Sequence, residues 1–169
     1  MRENRQASRM STGRSARRTR PQAGGEERPV NLVVLLREAF IALNELAIDR
    51  LAERGHAEVR SAHGAVFQYL DDTGTTVSTL AERAQMTKQA MAELVLHLEK
   101  QGYVNRTPDP RDRRAKLVTP TERGREVMDI AQGLVPELEQ RLSELLGNDR
   151  VDCLRADLET ILSTEIVLD

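Results

Sequence analysis

The 169-residue chain is poor in cysteine and aromatic residues and has no long apolar run. Its one cysteine, Cys153, excludes an internal disulfide framework and a cysteine-rich zinc site. The densest apolar stretch, residues 30–36, is far shorter than the ~18 to 20 residues of a membrane span, and no apolar run follows the basic N-terminus as it would in a signal peptide. Tryptophan is absent, so Leu, Val, Ala and Ile must build the core, which favours packed helices. We expect a cytoplasmic, nucleoid-associated protein without a membrane partner.

The net charge of −2 hides a strong asymmetry along the chain. Residues 1–28 carry eight Arg and three Glu with almost no large apolar side chain, whereas residues 121–169 carry 5 basic and 12 acidic residues. Because nothing in residues 1–28 offsets the entropic cost of ordering, this segment is predicted to be a disordered Arg-rich tail. It is either a solubilising extension or an arm that adds salt-dependent attraction to phosphates. Because basic residues cluster locally, the negative net charge does not exclude a nucleic-acid partner.

Apolar residues at steps of three and four predict helices, and alternation predicts strands. In chain order the predicted segments are a helix at 32–51, a helix at 59–70, an extended piece at 75–77, a helix at 78–84, a helix at 88–101, a charged β-hairpin of residues 103–107 and 115–118, and two C-terminal helices. We expect Thr119 to cap the first of the C-terminal helices, with Pro120 in its first turn and Glu122 completing a capping box. The predicted fold class is mostly α with a small β-hairpin wing, which is a winged helix-turn-helix flanked by a helical module.

The helix at 88–101 has one face that suits a DNA major groove. Thr87 is expected at its N-cap, and Lys88 and Gln89 fall in its first turn. A major groove admits one α-helix, where a lysine can donate to guanine O6 or N7 and a glutamine can pair with adenine N6 and N7. Glu93 repels phosphates unless it accepts from a cytosine N4 or is held by a cation. The alternative is that these are ordinary solvated residues of an amphipathic helix.

A hairpin tip rich in arginine follows that helix. Its basic side chains, interspersed with acidic ones, are Arg111, Arg113, Arg114 and Lys116. A long arginine on a rigid hairpin can enter a narrow A·T-rich minor groove, where the negative potential is deepest. Asp112 is better suited to bracing one of these arginines than to contacting DNA. A charged turn can be merely solvated, but a recognition helix followed by a basic hairpin favours binding to double-stranded DNA.

Apolar stripes on the flanking helices predict a homodimer. Residues 29–58 and 121–169 carry more apolar surface than a winged domain of residues 59–120 can cover. A second copy of the chain would bury that surface, and a two-fold dimer is the commonest arrangement. Such a dimer predicts a pseudo-palindromic operator with half-site centres about 10 base pairs apart.

Several motifs resemble those of the MarR family of bacterial transcriptional regulators. They are Leu80–Ala84, Met86–Met91, Leu98–Val104, Asp109–Lys116 and Leu117–Gly124. The resemblance covers residues 32–166 and implies an obligate homodimer, with both ends of the chain forming the dimerisation module. It places in the major groove the side chains of Thr87, Lys88, Gln89, Ala90 and Glu93. It also places Arg114 in the minor groove and Arg106 near the DNA backbone, whereas the Arg-rich leader departs from the family.

The same resemblance implies a pocket for a small effector between the dimer helices and the winged domain. Four residues of this chain can line such a pocket: Phe40, Arg60, His63 and Phe67. They would offer an aromatic wall and a cationic or switchable group to a small phenolic or lipophilic effector, whose binding would release a repressor from DNA. The alternative is that both phenylalanines belong to the core and that His63 is a satisfied or surface histidine.

No motif points to catalysis, to a cofactor or to a metal. The sequence has no nucleophile elbow, phosphate loop or dinucleotide fingerprint, so we do not expect an enzyme. The three histidines, His56, His63 and His97, are scattered along the sequence, with His97 on the exposed helix at 88–101, and no zinc-binding spacing occurs. Cys153 is expected to be an inert buried or interfacial thiol.

Two further functions remain open. A winged fold can serve as a protein-interaction module without using DNA, and the pairing of Glu93 with an exposed Leu96 favours this alternative because neither residue suits a phosphate-lined groove. The second alternative is a general architectural DNA-binding protein, in which the Arg-rich residues 1–28 provide the attraction to DNA.

Overall fold

The structure, a computed structural model, describes residues 22–23, 26–27, 31–110, 112 and 115–165. The chain divides into two compact units, Met1–Arg37 and Glu38–Asp169. In the first unit, β1 (Gln22–Ala23) pairs antiparallel with β2 (Glu26–Glu27), and Asn31 Oδ1 accepts a hydrogen bond from Val34 N at 3.0 Å in the first turn of the following helix. The rest of the predicted Arg-rich tail lies outside the described residues.

The other elements follow in the predicted order. They are α1 (Leu32–Glu53), a 3-10 turn (Ser61–His63), α2 (Gly64–Tyr69), β3 (Thr75–Thr76), α3 (Val77–Arg83), α4 (Lys88–Lys100), β4 (Val104–Pro108), β5 (Lys116–Pro120), α5 (Glu122–Leu146) and α6 (Asn148–Ser163). The fold class predicted from the sequence, mostly α with a β-hairpin wing, is confirmed. No helix among the described residues combines the length and apolarity that a bilayer crossing requires.

A three-stranded antiparallel sheet of order β3-β5-β4 carries the wing. The ladder between β4 and β5 runs from Val104 opposite Pro120 to Pro108 opposite Lys116. Beyond the ladder, Asp109 N donates to the Ala115 carbonyl at 3.0 Å, which continues the pairing toward the tip. Three of the predicted DNA contacts at the tip lie outside the described residues: Arg111, Arg113 and Arg114.

The second predicted helix is wrong at its beginning. Residue 59 is not helical, and Arg60 is extended with φ −115° and ψ 163°. Its backbone N–H donates to His63 Nδ1 at 3.0 Å, while His63 N donates back to the Arg60 carbonyl at 2.8 Å. This local side-chain contact closes a 3-10 turn in competition with the helical ladder, so that α2 begins only at Gly64.

The predicted cap of the long C-terminal helix is wrong by two residues. Thr119 still pairs with Asn105 in the sheet, and Thr121 N donates to the Tyr103 carbonyl at 3.0 Å. The helix is capped by Thr121, whose Oγ1 accepts from Gly124 N at 3.1 Å. Pairing with β4 therefore overrides the local capping signal that the sequence offers.

The core lies in the winged region and at the adjoining ends of α1 and α5. Its buried residues are Leu51, Val59, Val66, Leu70, Leu80, Ala81, Met91, Val95, Leu98, Tyr103, Val104, Val118 and Val127. Large apolar side chains stay exposed on the outer helices of the second unit: Phe40, Leu46, Val135, Leu145, Leu154, Ile161 and Leu162. Burial of each large apolar side chain contributes about 1.5–3 kcal/mol to the free energy of unfolding. Most of this contribution therefore comes from the winged region.

Candidate nucleic-acid interface

A tight connection presents the first turn of α4. Helix α3 is capped by Thr76, whose side chain accepts from Thr79 N at 3.2 Å, and it ends one residue before Ala84. Gln85 then adopts φ 51°, a left-handed conformation that turns the chain sharply. Thr87 caps α4 as predicted, with its Oγ1 accepting from Ala90 N at 3.2 Å. The two helices thus form the predicted helix-turn-helix.

The predicted recognition residues lie at the N-terminal end of α4. Lys88, Gln89 and Glu93 are exposed, as is the capping Thr87, and Ala90 is half-buried. The buried face of α4 packs into the core through Met91, Val95 and Leu98. The N-terminal turn also carries backbone N–H groups and the positive end of the helix dipole, which suit a phosphate. The arrangement is compatible with a major groove, and the DNA contact of each residue stays a prediction.

Arg106 is the predicted wing residue with the clearest contact, and that contact is with the protein. Its Nε donates to Glu99 Oε2 of α4 at 2.9 Å, and Nη2 contacts the same oxygen. The hydrogen bond from Arg106 lowers the pKa of the Glu99 carboxyl and raises the pKa of the guanidinium. This pair ties the first wing strand to the recognition helix. Lys116, at the far end of the ladder, is exposed.

A second ion pair holds the turn before β3 against α3. Arg83 Nη1 donates to Asp71 Oδ2 at 2.9 Å and to the Tyr69 carbonyl at 2.9 Å. The hydroxyl of Thr75 donates to the same carboxylate at 3.0 Å, and this bond, followed by Arg83, lowers the pKa of Asp71. Gly74 makes the turn with φ 99°, where an added Cβ would stand 2.8 Å from the side chain of Thr119. The first helix of the motif is therefore fixed on the sheet.

A polar cluster surrounds Tyr103, where the chain leaves α4. The ring is fully buried, and its hydroxyl donates to Glu58 Oε2 at 3.2 Å and lies 3.3 Å from His56 Nδ1. The guanidinium of Arg123 lies 4.3 Å from the ring centroid. Burial raises the pKa of Tyr103 to about 12, with the hydrogen bond to Glu58 acting in the same direction and Arg123 opposing it. The cluster joins the end of α1, the end of α4 and the start of α5.

The four predicted effector residues lie in unlike environments. Phe40 is 65% exposed on α1, and Arg60 is exposed ahead of the 3-10 turn. His63 is 4% exposed, and Phe67 packs edge-on against Tyr103 with centroids 6.3 Å apart. The pocket formed by these four residues stays a prediction.

A cleft of about 310 Å³ lies between α1 and α5. Its lining residues are Leu46, Asp49, Arg50, Glu53, Leu134, Glu137, Leu138 and Arg141. Arg50 is held there by a 3.2 Å ion pair with Glu137. Sequence reasoning did not indicate this cleft, because its walls come from segments more than eighty residues apart.

Two histidines that are far apart in the sequence lie together in the structure. His63 stacks on His97 of α4 with centroids 4.7 Å apart and an interplanar angle of 17°. Burial lowers the pKa of His63 to about 4, and electrostatic interactions with His97 and Arg60 act in the same direction. The Nε2 atom of His97 is buried. No group of three or more His, Cys, Asp or Glu within the described residues is placed to hold a metal.

Cys153 is exposed, not buried, in the single chain.

Comparison with known proteins finds a family similarity in the winged region. A MarR family model matches residues 60–115. The transcriptional activatory protein BadR of Rhodopseudomonas palustris is 30% identical over 99 residues, which are 59% of this chain and 55% of BadR. The chain thus spans about half the length of that curated relative.

Two solved structures extend the likeness over most of the chain. The transcriptional repressor CouR bound to a 23-mer DNA duplex is 29% identical, with a TM-score of 0.63 over 78% of this chain and 92% of CouR. CouR from Rhodococcus jostii RHA1 bound to p-coumaroyl-CoA is 26% identical, with a TM-score of 0.62 over 82% of this chain and 96% of that one. The helix-turn-helix geometry and the paired wing strands agree with these matches: the fold is a winged helix-turn-helix, and residues 60–115 are similar to the MarR family of transcriptional regulators.

Proposed function

We propose that the protein is a homodimeric, sequence-specific DNA-binding regulator that acts as a repressor and leaves its operator when a small molecule binds. The observation that carries the proposal is the exposed first turn of α4, capped by Thr87 and carrying Lys88 and Gln89, next to a β-hairpin whose tip is rich in arginine. DNA binding by CouR, a relative with the same fold, supports it.

Each half of the dimer would use two elements on one duplex. Lys88 and Gln89 would contact base edges in the major groove, and Arg114 would enter the neighbouring minor groove. Glu93 would accept from a cytosine N4 or be neutralised by a neighbouring cation. The Arg106–Glu99 ion pair would hold the wing at a constant angle to α4, and its role is therefore to orient the other contacts.

Exposed apolar side chains on the outer helices support the homodimer. Leu154 and Ile161 are 40% and 42% exposed on α6, and Leu162 is 86% exposed. A two-fold partner would cover this stripe, and the symmetry would present two recognition helices to a pseudo-palindromic site.

The direction of regulation and the effector rest on the relatives. CouR is named as a repressor and was solved with p-coumaroyl-CoA, whereas BadR is named as an activator. We choose repression because the CouR match covers 92% of that protein and the BadR match covers 55%. A small phenolic or lipophilic effector would act by binding better to a dimer whose recognition helices are wrongly spaced for DNA.

The direct test measures binding of the full chain to DNA from the upstream region of its own gene at two salt concentrations. We expect protection of a palindromic segment and a loss of affinity of about tenfold or more for Arg114→Ala, since a good specific contact is worth about 1–3 kcal/mol. Arg150→Ala, which removes the same charge from the first turn of α6, is the matched control and should bind like the wild type. Unchanged affinity of Arg114→Ala would refute the wing contact. Absence of any protected segment would refute the function and favour a protein-interaction module.

A further inference from the structure

We propose that Arg123 is a positioning residue that holds α4 in one orientation on α5 and thereby sets the half-site spacing that the dimer accepts. The inference rests on the proposed function, because it concerns how a dimer of this chain reads two half-sites. It is carried by a dense set of contacts at the start of α5 that the DNA-facing residues do not include.

The first turn of α5 lies directly on the backbone that leaves α4. Thr121 N donates to the Tyr103 carbonyl at 3.0 Å, and Thr121 Oγ1 donates to the Gly102 carbonyl at 2.7 Å. A Cβ at Gly124 would overlap the carbonyl oxygen of Tyr103, so no side chain separates the two segments there. Close-packed interiors transmit displacement instead of absorbing it. A change in the direction of α5 therefore reaches the end of α4.

Arg123 adds further contacts to this joint between the start of α5 and the end of α4. Its Nη1 donates to the carbonyl of Gln101, the C-cap residue of α4, at 2.8 Å. A cation at that carbonyl is favoured because the C-terminal end of a helix carries partial negative charge. Nη2 of the same guanidinium donates to Glu58 Oε2 at 3.2 Å, and the planar group lies over the Tyr103 ring. A planar fork can make these contacts at once, whereas an ammonium group cannot.

Glu58 connects the joint to α1 as well. Its carboxylate accepts from both Arg123 and the buried hydroxyl of Tyr103, and Arg123 Nη2 also lies 3.5 Å from the carbonyl of Gly55, two residues after the end of α1. The ends of α1 and α4 and the start of α5 therefore meet at one guanidinium. Because α1 and α5 belong to the proposed dimerisation module, the position of α4 relative to the partner copy depends on this joint.

The side chain of Arg123 is suited to orientation more than to folding. Tyr103 is fully buried, and its removal would open the core, but Arg123 is 39% exposed and covers only one face of that ring. Loss of the guanidinium should leave the core in place and widen the range of angles between α4 and α5. A dimer with a wider range should tolerate altered distances between half-sites.

The experiment measures spacing selectivity with the full-length protein. A duplex with two half-sites is selected from random DNA by the wild type and then rebuilt with one base pair inserted or removed between the half-sites. The readout is the ratio of Kd at the altered spacing to Kd at the selected spacing. We expect Arg123→Ala to reduce this ratio about tenfold, which is the scale of one hydrogen bond from a charged group.

Two further variants make the result decisive. Arg125→Ala removes an equal charge from an exposed position on the same turn, so it should change Kd by one factor at every spacing and leave the ratio unchanged. Glu58→Gln keeps the shape of the joint but removes the partner charge, so a smaller reduction in the ratio is expected. If thermal unfolding shows that Arg123→Ala does not fold, the ratio measured for Glu58→Gln tests the positioning role instead.

The outcomes separate the two proposals. A reduced ratio for Arg123→Ala and Glu58→Gln, but not for Arg125→Ala, supports the positioning role. Equal weakening at all spacings, or no change, overturns it while leaving the regulator function intact. Failure of the wild type to select any duplex with paired half-sites overturns the proposed function itself and this inference with it.

Discussion

The winged region and the outer helices bury their apolar residues to very different extents. In the winged region Leu80, Met91, Leu98 and Tyr103 are completely covered by the chain's own residues. In α6 one large apolar residue, Val151, is buried at 8% exposure, while Leu162 stays 86% exposed. The first region thus completes a core within one copy, and the second has apolar surface that a partner copy would cover. The proposed DNA contact and the proposed dimer contact therefore belong to regions that differ in how their apolar residues are buried.

Ion pairs connect separate elements in both regions, so they do not follow the same contrast. Arg106–Glu99 and Arg83–Asp71 each connect separate elements of the winged region, so they fix one element against another. On α5, Arg141–Glu144 joins neighbouring turns of one helix and is well exposed. Exposed pairs of this kind contribute little to stability because solvent screens them. The outer helices also have pairs between separate elements, Arg50–Glu137 from α1 to α5 and Arg155–Glu139 from α5 to α6. The two regions therefore differ in the burial of their apolar residues and not in the reach of their ion pairs.

The largest expected effect comes from placing charge on the exposed stripe of α6. Leu154→Asp with Leu162→Asp should weaken self-association by about a hundredfold or more, because an unpaired charge at a covered interface costs about 3–5 kcal/mol. Sedimentation at several protein concentrations measures this. Thr160→Asp, on the opposite face of the same helix, is the control and should leave the dimer intact. If the double variant stays dimeric, α6 is not part of the dimer interface. A partner copy would then not explain why the apolar residues of α6 are exposed.

Removal of apolar volume from α4 comes next. Leu98→Ala should lower the free energy of unfolding by about 3 kcal/mol, because it leaves a cavity in a closed core. Leu96→Ala, on the exposed side of the same helix, should change it by less than about 0.5 kcal/mol. Urea unfolding at one fixed protein concentration compares them, and equal losses would show that the winged core is not closed.

A methyl group at the start of α5 tests the joint between the regions. Gly124→Ala should destabilise the fold by about 2–3 kcal/mol, because its Cβ would overlap the Tyr103 carbonyl and force the backbones apart. Gly133→Ala in the same helix has no atom within 4 Å of the new Cβ and should be neutral or stabilising. The difference in melting temperature between the two variants measures the effect, and similar values would contradict the close contact.

The smallest expected effect is a pH dependence confined to the winged region. Because the pKa of folded His63 is about 4 and that of an unfolded histidine is near 6.5, the unfolded chain binds more protons between these values. Stability is then full above pH 6.5 and falls as the pH drops toward 4, by about 2 kcal/mol between pH 7 and pH 5. His63→Asn keeps an acceptor for Arg60 N but cannot titrate, so its unfolding free energy should fall less over this range. An unchanged pH slope in this variant would show that His63 is not the group responsible.

Local patterns predicted the elements well, and contacts between distant segments account for the errors. Apolar residues at steps of three and four predicted α4, and the position of Thr87 followed from the capping preference alone. The Thr119 cap was wrong because the strand partner that outcompetes it, Val104–Pro108, lies more than ten residues away in the sequence. The stacking of His63 on His97 and the Arg106–Glu99 pair leave no local signal, because each depends on how separate elements pack.

The lone thiol on α6 makes the proposed assembly directly measurable. Cys153 is the single cysteine of the sequence and is exposed, so a spin label or fluorophore can be attached there without engineering another site. In a two-fold assembly each copy would carry one label, and the pair would yield one intermolecular distance distribution. Recording that distribution with and without duplex, and then with candidate small molecules, would follow the spacing between the two copies on an ångström scale.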